Sequence, residues 1–84
     1  MTVFLAWTSA PVPSDLAGPW EEIRHAAPDL LLVSSTESLS RVYHELKWVM
    51  PGGASLLVTP LTGRPKLKGL PPGTQTWLRD RLPG

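Results

Sequence analysis

Pro19-Trp20-Glu21-Glu22-Ile23-Arg24-His25-Ala26-Ala27-Pro28-Asp29-Leu30-Leu31-Leu32-Val33 is the stretch on which the fold turns. Its first half reads as a helix over residues 19–27. Ser14 offers an upstream cap, residues 15–18 read as an irregular first turn, and Pro19 suits the first turn of a helix. Trp20, Ile23 and Ala27 recur at spacings of three and four, while Glu21, Glu22 and Arg24 fall on the other side. Pro28 disfavours helical geometry at Ala27 and ends the element. The second half, Leu30 to Val33, is a continuous apolar run. Continuity rather than alternation is what a strand covered on both faces displays.

Two further runs resemble it. Val3-Phe4-Leu5-Ala6-Trp7 lies before the stretch and Leu56-Leu57-Val58 after it, giving expected strands near residues 2–8, 29–34 and 55–59. Between the second and third runs lies the clearest helical period in the chain, near residues 36–50. Ser35 or Thr36 is placed to cap it, Glu37 sits in the first turn, and Pro51-Gly52-Gly53 stops it. Leu39, Val42, Tyr43, Leu46, Val49 and Met50 gather within about 120° of the helix circumference, the width of a core-facing stripe.

Strand, helix, strand, helix, strand implies parallel pairing through crossovers. The expected fold is therefore α/β: one domain over residues 1–84, with a three-stranded, mostly parallel sheet. Phe4 and Trp7 make the first run the bulkiest, which favours it as the central strand in the order 2-1-3. Pro60 has no amide hydrogen for a ladder and bars the third run from continuing as a central strand. Thr62-Gly63-Arg64-Pro65 reads as a turn. Lys66-Leu67-Lys68-Gly69-Leu70 alternates like a short fourth edge strand, where lysines are common. Beyond Pro71-Pro72-Gly73, Thr74 is placed to cap a short C-terminal helix carrying Trp77, Leu78 and Leu82.

Composition bounds the function. Eighty-four residues make one domain, and a chain of this size buries only about 60–65% of its unfolded surface. The hydrophobic fraction of 42% is that of a globular chain, and no apolar run reaches the roughly 18 residues of a membrane span. The opening residues lack the basic flank of a secretory signal, so a cytoplasmic location without membrane contact is the expectation. With no cysteine, thiolate zinc sites and cysteine nucleophiles are excluded. Charge is uneven. Residues 1–50 carry three cations against six acids, net −3, whereas residues 51–84 carry five cations against Asp80 alone, net +4. Such an imbalance can attract an anionic partner, or the basic tail can fold back on the acidic part.

Catalytic equipment is sparse. His25 and His44 lie on separate expected helices with no zinc-ligand spacing, and Glu21 and Glu22 cannot face each other on a helix. No nucleophile elbow, phosphate loop or dinucleotide fingerprint occurs, and Gly52-Gly53 precedes a strand instead of opening a helix. No metal and no cofactor are expected, and binding is a better reading than catalysis. Three surfaces compete. On the second helix, Trp48 lies about 180° from Leu39, opposite the apolar stripe. With Glu37, Arg41, His44 and Glu45 it composes a face suited to a protein partner or to self-association. The alternative is an anion or nucleotide site at the strand ends, built from Thr8, Ser9, Ser34, Ser35, Thr36, Thr62, Arg64 and Lys66. In that arrangement hydroxyls and amides converge near two cations; otherwise the same residues only cap and terminate elements. The second alternative is weak electrostatic nucleic-acid binding by residues 64–68. A pI near 8.2 and a single neighbouring aromatic, Trp77, argue against it.

Overall fold

The computed structural model describes residues 1–83. Its elements are β1 (Thr2–Thr8), β2 (Glu22–Ala27), β3 (Leu30–Ser35), α1 (Leu39–Val49), β4 (Leu56–Leu61) and α2 (Thr74–Arg81). The four strands form one sheet in the order β2-β3-β1-β4, and every pairing is antiparallel. The expected parallel α/β sheet is therefore corrected to an antiparallel sheet with helices on both faces.

The correction originates in residues 19–27. They form no helix; Glu22–Ala27 is extended and pairs with β3, with Ile23 opposite Val33 and His25 opposite Leu31. Pro28-Asp29 closes the hairpin, Ala27 standing opposite Leu30. Proline presets the backbone of a turn's second position and aspartate favours the next, so Pro28 begins a turn between strands. A strand in place of a helix removes the first crossover. β3 then returns beside β1 in the opposite direction, with Phe4 paired to Val33 and Trp7 to Leu30. In space the three apolar runs do lie second-first-third, but the first runs against both neighbours. β3 and β4 thus point the same way on either side of β1, joined through α1.

Alternation along the central strands explains their two-sided burial. Phe4 and Ala6 of β1, with Leu31 and Val33 of β3, meet Val42 and Leu46 of α1 on the first face. Val12, Leu16 and Trp20, from the long β1–β2 connection, close the same layer. Val3 and Leu32 turn to the second face and meet Leu78 of α2 and Leu82 at its C-cap, with Leu67 and Leu70 beside them. A continuous apolar run signals a strand covered on both faces, and an antiparallel sheet with a helix on each side satisfies that as well as a parallel one does. Leu31, Val33, Val42 and Leu46 are fully buried, each contributing about 1.5–3 kcal/mol by leaving water.

Three local expectations also change. Ser38, neither Ser35 nor Thr36, caps α1, its hydroxyl accepting from the Arg41 amide at 3.1 Å. Thr74 does not cap α2; Gly73 holds that position at φ 91°, a left-handed backbone that suits a residue without Cβ. Lys66–Leu70 forms no fourth strand; its place in the sheet is taken by β2. Pro60 lies within β4, on the edge, where a missing amide breaks no interior ladder. Among the described residues no helix is long and apolar enough to cross a membrane.

Candidate functional site

α1 presents the residues expected for an interface. Val42 and Leu46 are buried beneath it, and the opposite side carries Trp48, 83% exposed. Arg41 Nε lies 3.4 Å from Glu45 Oε1, an i,i+4 pair along the exposed surface. His44 is exposed and meets the Tyr43 ring edge-on at 5.2 Å. Glu37 precedes the helix, its amide donating to Ser35 Oγ at 3.0 Å. A hollow of about 360 Å³ opens beside Trp48, lined by His44, Lys47, Met50 and Gly52. Arg41, His44, Glu45 and Trp48 therefore share one surface, with a recess at its C-terminal end.

The strand-end hydroxyls are divided. Thr8 stands opposite Leu56, whereas Ser35 stands opposite Thr2 at the other end of the sheet. Six residues of strand at about 3.3 Å each separate the two groups. Only parallel strands bring all their carboxyl ends to one side. The hydroxyls serve local structure instead: Thr8 Oγ1 donates to Met50 Sδ at 3.6 Å, and Ser9 Oγ accepts from the Ser55 amide at 2.7 Å. Ser35 Oγ donates to the Pro19 carbonyl, and Ser34 is fully buried. Thr36 and Thr62 are exposed at the Ser35 end. Arg64 turns to the C-terminal helix, Nε donating to the Leu82 carbonyl at 3.2 Å, while Lys66 is exposed.

The basic tail does fold back. Arg81 makes a bidentate contact with Glu22 at 2.7 and 2.8 Å, donates to the Trp77 carbonyl at 2.9 Å, and lies 4.2 Å over the Trp77 ring. Arg24 donates to Thr74 Oγ1 at 3.2 Å and to the Pro72 carbonyl at 2.9 Å. His25, expected at a helix end, lies on β2 with Nε2 donating to the Pro13 carbonyl at 3.1 Å. These guanidinium clamps between β2 and α2 were invisible in the sequence because the two elements are about 50 residues apart.

Further concavities open elsewhere on the surface. A broad one of about 750 Å³ lies over the end of β2 between Pro11-Val12 and Gly69–Pro72. A smaller one lies on the second face beneath residues 65–70. Among the described residues, no three His, Cys, Asp or Glu side chains gather to hold a metal ion. The sheet and its two helices define a small α+β domain. Comparison with family models, with curated proteins and with solved structures finds no match to this chain.

Proposed function

We propose that this protein is a small non-catalytic binding module acting through protein contacts, with a partner or a second copy, on the outer face of α1. Arg41, His44, Glu45 and Trp48 form that face, with Glu37 just before the helix's N-terminal end. The observation that carries the reading is Trp48, 83% exposed on a helix whose opposite side already fills the core. Single exposed apolar residues are ordinary. Tryptophan with arginine nearby, however, is the composition most enriched among residues that dominate binding energy. The recess beside it offers a partner side chain a place to insert.

Sedimentation of the purified chain over a range of concentrations is the first test. Trp48→Ala should weaken association by about 2 kcal/mol, roughly thirtyfold in Kd. Its effect on stability should stay within about ±0.5 kcal/mol, as for other surface changes. Unchanged association in this variant would remove α1 as the interface. A chain that stays monomeric at high concentration restricts the reading to an external partner.

A further inference from the structure

α2 covers only part of the second face of the sheet, and the rest is crossed by a segment that is not helical. Residues 64–70 run across it without regular structure, Leu67 and Leu70 half-buried against the sheet and α2. Between this segment and the strands remains a hollow of about 300 Å³ whose floor is Leu5, Leu30 and Leu32. Trp7 and Leu57, cross-strand partners 40% and 55% exposed, extend the apolar surface on the same face.

Lys66 and Lys68 line the hollow too, and both are exposed. Neither has a carboxylate within 4.0 Å among the described residues, although Arg41, Arg79 and Arg81 each do. The hollow thus joins an aliphatic floor to two unpaired ammonium groups. We infer that it is a binding site for a small amphiphilic anion, a linear carboxylate whose alkyl chain lies on Leu5, Leu30 and Leu32 and whose head meets Lys66 and Lys68. Size supports the class: ligand sites begin near 300 Å³. The space equals about ten water molecules at roughly 30 Å³ each, and therefore takes a chain of about eight to ten carbons. This site lies across the sheet from α1 and does not depend on the role of Trp48.

The test is a calorimetric titration of the full chain with hexanoate, octanoate, decanoate and dodecanoate, each below its micelle concentration. Affinity should rise about fourfold per methylene, the equivalent of burying it, and level off near ten carbons. Octanol should bind about fivefold more weakly than octanoate, as expected for losing contacts to exposed cations. In the Lys66→Gln/Lys68→Gln variant that difference should vanish while octanol binding is unchanged. Both lysines are exposed, so this variant keeps the fold. Methyl NMR signals of Leu5, Leu30 and Leu67 should move, with the Trp48 indole as a still reference. No saturable binding would overturn the site. So would affinity that keeps climbing from decanoate to dodecanoate without regard to the lysines, since that is detergent-like adsorption. Capture of an acidic peptide but of no carboxylate would overturn it as well, assigning the face to a protein.

Discussion

The two faces of the sheet are closed by different physics. On the first, an eleven-residue helix lays Val42 and Leu46 over Phe4, Ala6, Leu31 and Val33, and Trp20 seals the margin. On the second, an eight-residue helix supplies Leu78 as its buried apolar side chain, with Leu82 added at its C-cap. Trp77 packs beside them, and the rest of the helix's attachment is polar: Arg81 to Glu22, Arg24 to Thr74 and Pro72, Arg64 to Leu82 and Arg79. A short helix with few apolar residues cannot hold itself to a sheet by burial alone. Directional hydrogen bonds fix its place, and they leave gaps that burial would have closed.

Stability measurements can break or sharpen this contrast. The largest loss is expected for Leu46→Ala on the first face, about 3 kcal/mol in urea unfolding, because a fully buried leucine leaves a cavity. A loss below 1 kcal/mol would mean that α1 is not the main apolar closure. Next comes Gly18→Ala. A Cβ there would lie 2.4 Å from the Trp20 ring, which packs on the first-face core, so the ring must move. About 1–3 kcal/mol should be lost, with changed near-ultraviolet circular dichroism from the displaced indole.

On the second face, Arg81→Ala should cost about 1–2 kcal/mol, less than a buried charged pair because Glu22 remains 45% exposed. In a double-mutant cycle with Glu22→Ala, a coupling of about 1 kcal/mol that shrinks in high salt identifies the pair as electrostatic. A salt-independent loss would reassign the effect to stacking of Arg81 on Trp77. Smallest is Trp48→Ala, whose unfolding midpoint should barely shift. A loss above 1 kcal/mol there would place the ring in a core contact.

Much of this was readable in the residues. The three apolar runs, the helix ending at Pro51, the final helix with Trp77, Leu78 and Leu82, and the outward side of Trp48 all follow from spacing and termination signals. Residues 19–27 were not. Trp20, Ile23 and Ala27 fit a helix by their spacing, while as a strand each face mixes apolar with polar, Ile23 with His25 and Arg24 with Ala26, so no alternation marks it. Nine residues are too few for periodicity to separate these readings. Pro28-Asp29 is compatible with a helix stop or with a hairpin turn, so it did not separate them either.

The sequence by itself determined where apolar surface must be buried and that the long periodic stretch containing Leu39–Val49 forms a helix. Only the tertiary structure decided strand direction. Pairing energy is similar either way, and direction depends on whether the chain turns back at Pro28 or crosses the sheet. The proposed sites follow the same division. The α1 face belongs to one continuous helix, and its angular pattern is local. The Lys66–Lys68 hollow, like the clamps on α2, joins residues far apart in the chain, and no local pattern encodes which of them will meet.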